Sequence, residues 1–136
     1  MNIHNMKKIA VYGSLLSGLH NYPLLKDSQL LGKEIVEIPY KMLDLISFPG
    51  LVEDENLHKI TIEVYEVNQD IFERVEHLEG YPNFYDRTEI KTSFGKASIY
   101  FLADGHYKYE NLSVNSGDWK DHLSKRHEKP TKLIFS

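Results

Sequence analysis

The sequence contains no cysteine. That excludes a disulfide framework, a thiolate nucleophile and any zinc site built on cysteine, and it suits a reducing compartment. Long apolar runs are missing too. Met6-Lys7-Lys8 is followed only by Ile9-Ala10-Val11 before Tyr12 and Gly13, too short for the hydrophobic region of a signal peptide, and nothing approaches the length of a membrane span. The expectation is a cytoplasmic protein that engages no membrane. Basic excess is absent: 16 Lys and Arg against 20 Asp and Glu leave a net charge of −4, with no basic stripe, which argues against nucleic acid as the partner. The seven histidines lack any HExxH-like ligand spacing, so neither a metal nor another cofactor is expected. The glycine-bearing segment Gly13-Ser-Leu-Leu-Ser-Gly18 has no phosphate-binding Lys and not the glycine spacing of a dinucleotide fingerprint.

What is present is an ordinary globular composition, 41% hydrophobic and 26% charged, enriched in aromatics by nine tyrosines and six phenylalanines. No repeat, linker or low-complexity tract divides the 136 residues, so one domain is expected over 1–136, long enough to bury roughly two-thirds of its unfolded surface without a metal or disulfide staple.

Along the chain, the first five residues read as a loose tail and Lys8 to Tyr12 as a short buried strand stopped by Gly13. His20 to Leu25 suits a helical turn. Gln29 to Ile38 reads as a second strand, Pro39 as its punctuation, Met42 to Phe48 as a further alternating run, Pro49-Gly50 as a turn and Glu53-Asp54-Glu55-Asn56 as a solvated acidic loop. Lys59 to Val67 is the clearest strand, with Ile60, Ile62 and Val64 on one face and Thr61, Glu63 and Tyr65 on the other. Its half-polar face leads us to expect Glu63 exposed and paired with a cross-strand Lys, with a pocket role as the alternative. Phe84 to Thr92 and Lys96 to Ala103 form a hairpin across Ser93-Phe94-Gly95, and Asp118 caps a last helix to Arg126. Strands exceed helices and the turns are short, which indicates α+β.

Asp70 to Glu79 reads as a short amphipathic helix. Asp70 with Glu73 makes a capping-box start, and Gly80 followed by Pro82 makes the stop. At roughly 100° per residue, with Ile71 at 0°, Val75 falls at about 40°, Phe72 at about 100° and Leu78 at about 340°, while Glu79 falls at about 80°. A carboxylate therefore sits on the apolar stripe, in the last turn, where the helix dipole is negative. Burial and a helix C-terminus both raise a Glu pKa, which is what a general base near neutral pH requires. The competing reading is that Glu79 swings out to water or pairs with Arg74 or Arg87.

Two signatures stand in order: Val11-Tyr12-Gly13-Ser14-Leu15, and Leu78-Glu79-Gly80-Tyr81-Pro82-Asn83-Phe84-Tyr85-Asp86-Arg87. Together they resemble the gamma-glutamylcyclotransferase-like superfamily, most closely its gamma-glutamylamine cyclotransferase branch. Further matches are Gly18, Asn21, Glu63, Tyr65, Tyr100 and Ser116-Gly117-Asp118-Trp119, so the likeness spans most of the chain. The resemblance implies a small mixed β-barrel with a few flanking helices, a substrate-cradling loop at Tyr12, Gly13, Ser14 and Leu15, and Glu79 as the acid/base catalyst. It implies a small-molecule γ-glutamyl substrate whose α-amino group attacks its own γ-carbonyl, giving 5-oxoproline and a free amine or amino acid. A module that keeps the fold and pocket but only binds a small molecule is the alternative.

Around that implied centre, Tyr85 and Arg87 share one strand face and Ser98 and Tyr100 share another. Tyr85 and Tyr100 are therefore candidate substrate contacts, or else half-buried packing residues with their hydroxyls at the rim. Arg87 beside Glu79 would oppose the pKa rise, so it should bind another acid or point elsewhere. Where this chain has Ile62 the family commonly has Gly, which predicts a bulkier pocket wall. Ile62 and the 104–115 loop are expected to shape the choice of leaving group.

Overall fold

A computed structural model describes residues 6–104 and 113–128. Five strands form one mixed sheet in the order β2-β3-β1-β5-β4. Strand β1 (Lys7–Val11) is central because its apolar run Ile9-Ala10-Val11 tolerates burial on both faces. It pairs antiparallel with β3 (Pro49–Val67) and parallel with β5 (Gly95–Leu102), Ile9 standing opposite Ser98. The hairpin of β4 (Tyr85–Thr92) with β5 forms as expected, Thr92 opposite Gly95.

Strand β2 (Gln29–Asp44) runs straight through Pro39 instead of stopping there. β2 is an edge strand, where a missing N–H breaks no ladder on the open side, and the register slips between Ile38 and Tyr40. Ile38 pairs with His58 and Tyr40 with Glu53, so the acidic segment expected as a separate loop is absorbed into β3 as a bulge. The Pro49-Gly50 turn is also corrected. Asp44 pairs with Pro49 and Leu43 with Gly50, so residues 45–48 make the reversal. Asp44 supplies the turn chemistry, its Oδ1 accepting from the Ile46 N–H at 2.6 Å.

The sheet is not closed into a barrel by hydrogen bonds. Instead the β2–β3 hairpin end leans onto β4–β5 through side chains: Tyr40 meets Phe101 at 5.2 Å between rings, and the Tyr85 hydroxyl donates to the Pro49 carbonyl at 2.6 Å. The α+β architecture and the flanking helices stand.

Helix α1 (Gln69–Glu79) begins two residues earlier than the Asp70–Glu73 box predicts. Asn68 is the cap, its side chain accepting from the Ile71 N–H at 2.8 Å, and Asp70 pairs with Arg74 instead. At the other end Gly80 takes φ 65°, and its N–H reaches the Glu76 and His77 carbonyls. Phe72 and Val75 are buried, whereas Leu78, expected on the core stripe, is 42% exposed. Helix α2 (Trp119–Glu128) is capped by Asp118 as expected and buries Trp119.

Glu63 is only 4% exposed, so the second face of β3 is buried and polar rather than solvated. Its register partner on β2 is Lys33, yet its cation is Lys120 of α2. Ile62 is fully buried in the core and not in the pocket wall. The expected N-terminal tail and most of the 104–115 loop lie outside the described residues.

Candidate active site

Tyr12 to Leu15 follow the end of β1, and buried Leu15 and Leu16 turn the chain back onto the core. Leu16 N–H donates to the Gly13 carbonyl at 2.9 Å, and Asn21 closes the loop by donating to Ser14 through both its backbone and its side-chain amide, each at 2.8 Å. Gly13 is required here. A Cβ on it would lie 2.7 Å from the Pro49 ring, which crosses close over this turn. Among the described residues, the N–H groups of Gly13, Ser14 and Leu15 donate to no protein acceptor. Three such donors at one turn make a concavity suited to an anionic oxygen.

That turn borders a cavity of about 210 Å³. The sequence-predicted positions Tyr12, Gly13, Ser14, Leu15, Glu79, Tyr85 and Tyr100 all line it, joined by Phe48, Pro49 and Phe84. The volume is below the roughly 300–1,000 Å³ of pockets that enclose drug-sized ligands. It suits a fragment the size of one amino acid.

Glu79 enters the cavity from the C-terminal turn of α1, and burial raises its pKa from 4.5 to about 7. Among the described residues it has no hydrogen-bond or ion-pair partner. The two arginines that sequence reading offered as partners are committed elsewhere: Arg74 to Asp70 at 3.2 Å, and Arg87 to Glu76. Arg87 also lies 4.3 Å from the centre of the Tyr81 ring, which fixes its guanidinium away from the cavity.

Glu76 is the site-adjacent residue that sequence reading missed. Its Oε2 accepts from Arg87 Nη1 and, at 2.9 Å, from the Tyr100 hydroxyl. The signal was available: Arg87 and Tyr100 are direct cross-strand neighbours, and Glu76 shares the helix face of Glu79 three residues on.

The three tyrosines present aromatic wall rather than free donors. Tyr12 donates to the Tyr100 carbonyl at 2.7 Å, Tyr85 to Pro49 and Tyr100 to Glu76. Burial, first of all, pushes each phenol above its ordinary range, and the nearby Glu79 charge adds to this, so all three stay protonated. Among the described residues no histidine lines the cavity, and none of them offers Ser14 an imidazole to activate it.

A family model described as gamma-glutamyl cyclotransferase, AIG2-like, matches residues 9–121. A Vibrio cholerae protein provisionally named a gamma-glutamylcyclotransferase is 38% identical over 112 residues, 82% of this chain and 93% of its own. The gamma-L-glutamyl-butirosin B gamma-glutamyl cyclotransferase of Niallia circulans is 26% identical over 124 residues, 86% of this chain and 78% of its own. Among solved structures, an uncharacterised protein from Pyrococcus horikoshii superposes with a TM-score of 0.75 at 30% identity, covering 91% of this chain and 98% of its own.

Proposed function

Because the chain belongs to the gamma-glutamyl cyclotransferase, AIG2-like family, we propose that it releases 5-oxoproline from a small γ-glutamyl substrate, with Glu79 as general acid and base. The observation that carries this reading is a carboxylate with a pKa of about 7 and no partner among the described residues, in a cavity also lined by Gly13, Ser14 and Leu15.

The reaction joins two ends of one molecule. The substrate's α-amino nitrogen forms a bond to its γ-carbonyl carbon, the bond from that carbon to the leaving nitrogen breaks, and a five-membered lactam results. Holding both ends in a near-attack geometry supplies effective molarities of about 10⁵ to 10⁸ M, so no protein nucleophile is needed. Two protons leave the α-nitrogen. Ionised Glu79 takes one from the α-ammonium, freeing the nitrogen lone pair, and returns it to the departing nitrogen. The second leaves the ring nitrogen once the new bond has formed and ends on the released amine, which departs as an ammonium, or in solvent. A carboxyl that titrates near neutrality serves both steps, worth roughly 10² to 10⁴ in rate.

The N–H groups of Gly13, Ser14 and Leu15 receive the substrate α-carboxylate, and the same turn offers donors to the oxygen that gains charge on the γ-carbon. Tyr12, Tyr85 and Tyr100 wall the glutamyl chain and exclude water. This matters because water attacking the same carbon would give glutamate instead of the lactam. The cavity accommodates the glutamyl part and leaves the departing amine outside it.

Product analysis tests the proposal. Incubation with γ-glutamyl amines and γ-glutamyl amino acids should yield 5-oxoproline plus the free amine by mass spectrometry. Free glutamate would indicate a hydrolase using the same carboxylate, and a ligand-induced rise in melting temperature with no product would indicate a binding module.

A further inference from the structure

We infer that Glu63, which does not line the cavity, is a positioning residue for it: by gripping Ser17, its carboxylate fixes the turn that presents the Gly13–Leu15 amides. This rests on the function proposed above. Glu63 Oε1 accepts from the Ser17 backbone N–H at 2.8 Å and Oε2 from the Ser17 hydroxyl at 2.9 Å. The Tyr65 hydroxyl donates to Oε1 at 2.9 Å, and Lys120 of α2 approaches Oε2 at 3.5 Å while donating to the Ser17 hydroxyl at 3.1 Å.

Three separate segments therefore converge on one acid: the turn after β1, the middle of β3 and the first turn of α2. Burial alone would raise the Glu63 pKa. The Ser17 N–H, the Tyr65 and Ser17 hydroxyls and Lys120 together reverse this and hold it below the usual carboxylate value. The anion is thus fixed in place, not available for proton transfer, a role opposite to that of Glu79.

The turn needs such an anchor. Between Gly13 and Asn21 it contains no regular element, and Gly18, next to Ser17, takes φ 83°. Leu15 and Leu16 hold it from the core side, and Asn21 ties its far end to Ser14. Among the described residues Ser17 is the turn's polar attachment to the sheet, and both of its donors go to Glu63. Replacing the acid by an amide removes the charge and turns one of the two acceptors gripping Ser17 into a donor, which frees the peptide planes just before it to rotate away from the cavity.

Glu63→Gln, Ser17→Ala and the double variant test this, assayed well below their melting temperatures. Glu63→Gln should raise KM for a γ-glutamyl amine about tenfold or more, the scale of a lost charge-assisted hydrogen bond, with a smaller fall in kcat and the acid limb of the pH profile unmoved. Ser17→Ala keeps the backbone N–H and should act less, in the same direction. The double variant should be no worse than Glu63→Gln, since both disturb one contact.

Hydrogen exchange of segment 13–17 should quicken in Glu63→Gln. KM within twofold of wild type in both single variants, or effects that multiply independently, would overturn the positioning role. If the wild type forms no 5-oxoproline, the proposed reaction fails by itself. Exchange still decides the role of Glu63, since unchanged exchange in segment 13–17 would overturn it whatever the activity.

Discussion

Arg87 donates to Glu76 and leaves Glu79, one helical turn further along α1, without a cation among the described residues. Two carboxylates on one helix face thereby acquire opposite characters. Glu76 is paired with Arg87 and accepts from the Tyr100 hydroxyl, while Glu79 is desolvated and has no partner among the described residues. The division separates a structural acid from one able to exchange protons near neutral pH.

Glu76→Gln should disturb this division. Removing the Glu76 anion leaves the Arg87 charge uncompensated beside α1, and a more positive surrounding favours ionised Glu79, so the Glu79 pKa should fall. Because activity requires ionised Glu79 in the first proton transfer, the acid limb of kcat/KM should move to lower pH. With Arg87 about a third exposed, the stability loss should be modest, about 1–2 kcal/mol. A pH–rate profile and a urea titration measure both.

Glu79 also links pH to stability. Its folded pKa of about 7 exceeds its ordinary value of 4.5, so between these the folded protein binds a proton that the unfolded chain has lost. Its contribution to stability is therefore full below about pH 4.5 and declines as pH rises toward 7. Glu79→Gln removes that dependence. Relative to wild type the variant should melt higher at pH 8 than it does at pH 5, read by calorimetry at both values.

Ile46→Gly should stabilise the fold. Ile46 holds φ 81° in the turn between β2 and β3, a conformation unfavourable for a β-branched residue, and its side chain is 70% exposed. The backbone is held there by Asp44, itself fixed by His122 at 2.8 Å and Arg126 at 2.9 Å, and by Arg126 donating to the Ile46 carbonyl at 2.8 Å. Relieving strain of about 1–3 kcal/mol at an entropic cost of about 0.5–1 leaves a gain of about 1 kcal/mol, measurable as a higher urea midpoint.

Gly13→Ala should have the reverse effect. The new methyl would press on Pro49 from 2.7 Å, displacing either the hairpin end or the amide-bearing turn. A loss of about 1–3 kcal/mol is expected, with a clear fall in kcat/KM at temperatures where the variant remains folded.

Much of this was readable from residue order. The helical angle of Glu79 and its dipole-opposed position pointed to an inward, elevated carboxylate beside the alternative of one swung out to water, and Lys8 to Tyr12 read as a short buried strand. What escaped was long-range. Pro39 looks like punctuation until β2 is known to be an edge, and Pro49-Gly50 looks like a turn until Asp44 is seen making its own. Glu63 looked solvent-facing because alternation reports one covered face, and nothing local reveals that the turn after β1 and helix α2 cover the other. Glu76 was passed over because its partners lie on β4 and β5, 11 and 24 residues away.

The most direct measurement is the rate of 5-oxoproline release by Glu79→Gln, beside the wild type and with matching circular dichroism and melting curves. The account predicts a folded variant that retains substrate affinity and loses about 10²-fold or more in kcat. A folded Glu79→Gln protein that turns over within twofold of the wild type would contradict it.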